Sequence, residues 1–232
     1  MEKLNGNPAW MVQALWNCCL VNMQVYPVKV PNWVQKLIPS ALWHFPRHEK
    51  VLYLSFDDGP SPELTSWILE TLDQWQAKAT FFCVGENIDK YPHLYREITL
   101  RGHTIGNHSY NHLNGWTTSN KQYFQNVARN AEQTGARLYR PPYGKLKPSQ
   151  INYLKKHYQL VYWDVLSGDF DVELSPDDCL QNILRHSRGG SIVVLHDNSK
   201  SAKTVNYVLP RLLEYYIERG WELRKIDPNY GN

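Results

Sequence analysis

Val51-Leu52-Tyr53-Leu54-Ser55-Phe56 runs without a break into Asp57-Asp58-Gly59-Pro60. The first six residues are apolar or aromatic except for one serine. They make a run too short for a helix and rich enough in β-formers to read as a buried strand. It ends at two adjacent carboxylates followed by a Gly-Pro turn signal. Further segments of the same kind fall at residues 79–85, 104–107, 137–140, 159–165, 191–196 and 221–226. Between them lie stretches of helical periodicity with readable ends. Ser61-Pro62-Glu63 offers an N-cap with Pro at the first helical position, and Ser175-Pro176-Asp177-Asp178 repeats the pattern with an acidic first turn. Val205, Val208, Leu209, Leu212, Leu213, Tyr216 and Ile217 form one apolar stripe, ended by Gly220. Pro210 interrupts it and predicts a late start or a kink. Strands alternating with helices predict one α/β domain on a parallel sheet, open or closed.

The composition agrees. A chain of 232 residues, 42% hydrophobic and 20% charged, can bury a sizeable core and is not intrinsically disordered. Its net charge of +3 is slight and evenly scattered, which argues against a nucleic-acid partner. Cys18, Cys19, Cys83 and Cys179 form neither a disulfide framework nor a CxxC pair, and Cys83 reads as a small buried hydrophobe. Residues 9–25 are mostly apolar but broken by Gln13, Asn17, Asn22 and Gln24, so no clear membrane span is expected. Lys3 is offset by Glu2 and no small-residue cleavage site follows. We therefore expect no clear cleavable signal, with a cytoplasmic location slightly favoured over an envelope-associated one. Residues 1–46 read as an N-terminal extension and a proline- and tryptophan-bearing capping segment over one end of the sheet, and 47–228 as the main domain.

Polar residues gather just past the strand ends. Asp57-Asp58 follows the first strand, and Asn107-His108-Ser109-Tyr110-Asn111-His112 closes the third. Arg140-Pro141-Pro142-Tyr143-Gly144 closes the fourth, Asp169 follows the fifth, and His196-Asp197 ends the sixth. In parallel α/β folds these ends share one face, where active sites are built. Turn chemistry alone explains Gly59-Pro60 and Pro141-Pro142, but not two histidines, Arg140 and His196. Of two adjacent carboxylates, one can ligate a metal while the other serves as a base. The spacing His108-x3-His112 suits a metal pair, and by itself equally a pair of surface histidines. A carboxylate with two imidazoles makes a three-ligand, water-accessible site typical of catalytic zinc. Mixed N/O donors favour Zn²⁺, or Co²⁺ or another transition metal, over Ca²⁺ and Mg²⁺.

Taken in order, Ser55 to Pro60, His108 to His112, Arg140 to Gly144, Trp163 to Asp169, and Leu195-His196 resemble the five motifs of the polysaccharide deacetylases of carbohydrate esterase family 4, the NodB-homology domain. The resemblance covers about residues 50–226. It implies a distorted (β/α) barrel of seven or eight parallel strands that removes N-acetyl groups from an amino-sugar glycan or oligosaccharide with one divalent metal ion. It makes Asp58, His108 and His112 the metal ligands and Asp57 the general base, oriented by Arg140. His196 becomes the general acid, with Asp169 stabilising its protonated form. The backbone N–H of Tyr143 becomes an oxyanion donor, and Leu195 part of the acetyl-methyl pocket. Asp57 takes a proton as water attacks, and His196 gives one to the departing amine.

Three departures stand out: Ser55 where the family usually has Thr, Phe170 where a Trp is common, and Leu166 where an Asp is frequent. No substrate preference is carried over for that reason. Tyr110, Trp116, Tyr143 and Phe170 lie near the motifs, where aromatic rings could border a sugar. Two alternatives remain: a catalytically silent carbohydrate-binding relative, and a deacetylase of a small or lipid-linked amino sugar.

Overall fold

The computed structural model describes residues 26–230. The stretch 9–25, with Cys18 and Cys19, lies outside the described residues. From the N-terminal side, α1 (Asn32–Gln35) and β1 (Ala41–Leu42) precede β2 (Val51–Asp57), α2 (Thr65–Gln74) and β3 (Thr80–Cys83). Then come α3 (Gly85–Lys90), α4 (Pro92–Leu100), β4 (Thr104–Asn107), α5 (Asn120–Thr134) and β5 (Leu138–Tyr139). A 3-10 turn (Pro142–Gly144) leads to α6 (Pro148–Leu154), β6 (Gln159–Val161) and β7 (Val165–Leu166). The chain closes with α7 (Pro176–His186), β8 (Ile192–His196), α8 (Ala202–Ile217) and β9 (Glu222–Arg224).

The strands pair in the order β1-β6-β5-β4-β3-β2-β8-β7, all in parallel. β9 pairs with the start of β2, and Ile226 N–H then donates to Thr80 Oγ1 at 2.8 Å, so β9 runs end to end with β3. β6 and β7 belong to one extended stretch, the first half bonded to β5 and the second to β8. Because β8 also pairs with β2, the sheet curls back on itself. The expected distorted (β/α) barrel is what forms. The sequence predicts one strand over 159–165, but the ladder breaks between Val161 and Val165 because the Arg140 guanidinium takes the carbonyls of Val161 and Tyr162. The capping segment goes further than covering an end: β1 pairs with β6, and residues 28–30 run antiparallel beside β7.

Side chains alternate between two cores, as the period of a strand requires. Leu52, Leu54 and Phe56 of β2 and Val193 and Leu195 of β8 pack outward under the helices. Ile192 and Val194 face the barrel interior with Phe82, Val161 and Trp163. Full burial of each such aliphatic contributes about 1.5–3 kcal/mol. Cys83 and Cys179 are free and buried.

Two helix starts test the capping signals. Ser175 caps α7, its Oγ accepting from Asp178 N–H at 3.1 Å. Ser61 does not cap α2, which starts later, at Thr65. Its hydroxyl instead donates to Asp197 Oδ1 at 2.9 Å, a buried acceptor that outcompetes the local cap. α8 begins at Ala202 and runs through Pro210, so the late start does not occur. Burial of Val205, Val208, Leu209, Leu212 and Leu213 outweighs the one backbone bond that proline removes.

Candidate active site

Because the ladder is parallel, the C-terminal ends of β2, β4, β5 and β8 form one rim, and the chain leaves each of the first three under strain. Asp58 (φ 76°), Ser109 (φ 60°), His112 (φ 54°) and Tyr143 (φ 61°) are four of the five non-glycine residues with positive φ among those described. Such a conformation costs on the order of 1–3 kcal/mol and persists only where its surroundings impose it. For the loop after β4 the imposing groups are asparagines. Asn107 Oδ1 accepts from Ser109 N–H at 2.8 Å, and Asn130 Nδ2 of α5 donates to Ser109 O and Cys83 O, each at 2.9 Å. Asn126, one turn earlier on the same helix face, accepts from the N–H groups of Tyr110 and Asn111.

The result brings Asp58, His108 and His112 together, with one ligand atom from each lying within 4.8 Å of the others. Asp58 Oδ1 stands 3.1 Å from His112 Nε2 and 3.6 Å from His108 Nε2. This oxygen is buried and no donor is aligned on it. The other carboxylate oxygen accepts from Asn198 Nδ2 at 2.7 Å. His108 Nδ1 donates to Arg140 O at 2.8 Å, which leaves the Nε2 lone pair facing Asp58. Burial lowers the His108 pKa to about 4, only partly offset by the charge of Asp57, so the ring is neutral at pH 7. Burial alone would raise Asp58, yet contact with His112 and the charge of His196 hold it below the usual carboxylate range. A neutral imidazole beside an ionised carboxylate with an orphaned oxygen is the donor set a divalent cation requires.

Asp57 lies beside this trio. Its Oδ1 accepts from Arg140 Nη1 at 2.7 Å, and the same nitrogen donates to Ser55 Oγ at 2.8 Å. Arg140 is fully buried, its guanidinium over the Phe82 ring at 4.0 Å. Ser55 thus keeps the hydroxyl contact despite the departure from Thr.

Across β2, His196 is the register partner of Asp57. Its Nδ1 donates to Asp169 Oδ1 at 2.8 Å, and its backbone N–H donates to Asp169 Oδ2 at 2.6 Å. Ser167 Oγ donates to Asp169 Oδ1 at 3.0 Å. Burial opposes a charge on His196, but the facing Asp169 carboxylate outweighs it and raises the pKa to about 9. The site therefore holds a cationic imidazole opposite an arginine-bound carboxylate.

Around the rim, Tyr143 is 54% exposed, with its ring 4.6 Å from that of His112. Lys145 Nζ lies 5.1 Å from the partly buried Trp116 ring and 5.9 Å from that of Tyr143. Phe170 meets His196 edge-on at 5.2 Å. Tyr110 does not border the opening: it is buried beneath Arg129 and bonded to Asp89. Leu195 also needs correction. It alternates to the face opposite His196 and is buried under the helices, whereas Val194, two residues before His196, is the aliphatic on the inner face. A one-residue shift along a strand reverses the face. The sequence reading missed Asn198, and it placed Asp197 at the strand end without giving it a role. Asp197 is buried beneath Gly59, accepts from Ser61 and Thr65, and its N–H donates to Asp57 O at 2.7 Å. A signal was available, since both follow His196 directly at the same strand end.

The family model described as polysaccharide deacetylase matches residues 45–161, a stretch that includes Asp57, Asp58, His108, His112, Arg140 and Tyr143. The chain belongs to the polysaccharide deacetylase family. A peptidoglycan-N-acetylglucosamine deacetylase of Bacillus cereus is 31% identical over 193 residues, covering 78% of this chain and 69% of that protein. A chitooligosaccharide deacetylase of Azorhizobium caulinodans is 30% identical, covering 65% and 75%. Among solved structures, a peptidoglycan N-acetylglucosamine deacetylase in complex with 4-naphthalen-1-yl-N-oxidanyl-benzamide superposes with a TM-score of 0.78 at 28% identity, covering 85% of this chain and 95% of that one. A mutant of a family pseudoenzyme with restored enzymatic activity is also similar, with a TM-score of 0.69 at 26% identity, covering 81% and 70%. This polysaccharide deacetylase carries its Asp169–His196 pair beyond the residues that the family model matches.

Proposed function

We propose that this polysaccharide deacetylase hydrolyses the N-acetyl amide of N-acetylglucosamine units in a peptidoglycan- or chitooligosaccharide-like glycan, using one divalent metal ion. The observation that carries the reading is the juxtaposition of three groups on one rim: the Asp58–His108–His112 trio, the Asp57–Arg140 pair and the Asp169–His196 pair. The relatives' names supply the substrate class, and the exposed Tyr143 with Trp116 offers ring faces to a pyranose.

Asp58 Oδ1 and the two Nε2 atoms would hold the ion. When bound, Zn²⁺ or a similar cation polarises the amide carbonyl and acidifies the attacking water. Asp57, held by Arg140, accepts the proton of that water. The backbone N–H of Tyr143 is assigned the oxyanion. His196 then donates its Nε2 proton to the amide nitrogen, because an amine leaves only when protonated, and Asp169 keeps that proton available. Val194, with Phe170 as a side wall, is assigned to the acetyl methyl group.

A silent binding relative needs no charged acid–base couple, and retention of Asp57, Arg140, Asp169 and His196 favours catalysis. The test is acetate release from N-acetylglucosamine oligomers and peptidoglycan fragments, before and after chelation and on return of Zn²⁺ or Co²⁺. Loss on chelation and recovery on addition are expected. Undiminished turnover in protein shown to be metal-free would overturn the reading.

A further inference from the structure

Residues 26–30, which precede the family-matched region, lie along β7 in antiparallel register. Leu166 N–H donates to Val28 O at 2.8 Å and Val30 N–H to Asp164 O at 3.2 Å, with Lys29 opposite Val165. Continued toward the N-terminus, that register sets Tyr26 opposite Gly168, the residue before Asp169. The contact is close: a Cβ on Gly168 would collide with the Tyr26 hydroxyl. That hydroxyl donates to Asp171 Oδ2 at 3.2 Å, and the Tyr26 ring lies 4.9 Å from that of Phe170. Phe170 in turn stands edge-on to His196. Tyr26 therefore touches the turn before, beside and after Asp169. Asn182 of α7 also grips this turn, donating to Ser167 O at 3.1 Å, and β8 holds it through Ser167 N–H to Val194 O at 3.3 Å and His196 N–H to Asp169 Oδ2 at 2.6 Å.

We propose that Tyr26 is a positioning residue for the reaction: it clamps residues 168–171 so that Asp169 and Phe170 hold His196 in its proton-donating orientation. The turn contains a glycine at φ 86°, and the last main-chain bond to β8 is Ser167 N–H to Val194 O, so, among the described residues, 168–171 make no ladder bond and the clamp supplies rigidity there. Misplacement of a catalytic group by about 1 Å can cost up to about a hundredfold in rate. The clamp rests on the acid role given to His196 above.

The test compares wild type, Tyr26→Phe, Tyr26→Ala and His196→Gln in acetate release from N-acetylglucosamine oligomers, with metal content measured on each. Tyr26→Ala is expected to lower kcat about tenfold with KM and metal content near wild type, and to broaden the downfield Nδ1–H proton resonance of His196. Tyr26→Phe, which keeps the ring, is expected to recover most of the rate. Wild-type kcat in Tyr26→Ala, or a loss that tracks metal content, overturns the clamp. If Tyr26→Ala does not fold, Tyr26→Leu is judged by the same criteria. Full activity in His196→Gln overturns the acid reading and the clamp with it, whereas inactive His196→Gln beside fully active Tyr26→Ala overturns the clamp alone.

Discussion

Asp57 and His196 are register partners on adjacent parallel strands, so the proposed base and acid are held on backbones about 4.8 Å apart. Hydrogen bonds along β2 and β8 fix that spacing, and no loop intervenes. The couple approaches the substrate from two sides at a separation the sheet sets.

Asp57→Asn is expected to cut kcat by at least about a hundredfold while metal content stays at wild type, since general base catalysis contributes roughly 10²–10⁴. Asp58→Asn should lose the metal as well. Acetate release with metal analysis on the same samples separates the two carboxylates; loss of metal from Asp57→Asn would exchange their roles.

Asn198→Ala should weaken Zn²⁺ affinity roughly 10- to 100-fold, as removing a partner of a ligating carboxylate does. The amide is fixed, because its Oδ1 accepts from Ser201 N–H at 3.1 Å and Nδ2 must therefore face Asp58. Competition with a chromogenic chelator reads the affinity directly, and an unchanged value would leave Asn198 only bracing the turn before α8.

The alkaline limb of the pH–rate profile should follow deprotonation of His196, whose pKa Asp169 raises from 6.5 to about 9. Asp169→Asn should move that limb down by about one unit or more. The same pairing contributes stability that is fully present below pH 6.5 and lost as pH rises through about 9. Melting temperatures of wild type and Asp169→Asn should therefore converge on the alkaline side; a constant gap would place the effect elsewhere.

Arg140→Ala should destabilise the fold by about 3–5 kcal/mol, because it leaves the buried Asp57 carboxylate without its cation. Chemical denaturation measures this. The double variant Arg140→Ala/Asp57→Asn, which removes both charges, should be milder, and equal losses would argue against the ion pair as the cause.

Much of this was legible in residue order. Val51–Asp57 and Thr104–Asn107 form as strands to the residue, because buried β-branched and aromatic runs end there at polar turns. Site residues were visible because parallel strands send their ends to one face. What could not be read depends on three-dimensional partners. Ser61 looks like a cap until Asp197 appears beneath it. The strand over 159–165 looks continuous until Arg140 takes its carbonyls. Two of the asparagines that shape the histidine loop, Asn126 and Asn130, sit on α5 and look like ordinary polar surface, and the face of Leu195 turns on one residue of register.

Arg140 contributes two opposite ends of itself to the site: its carbonyl fixes the tautomer of His108, and its guanidinium grips Asp57. One residue thus works as a caliper, one jaw on a metal ligand and the other on the base. Drift of the main chain there would shift both together, conserving their separation. Catalytic geometry in this protein should then tolerate breathing of the barrel better than it tolerates any change of side chain at that single position.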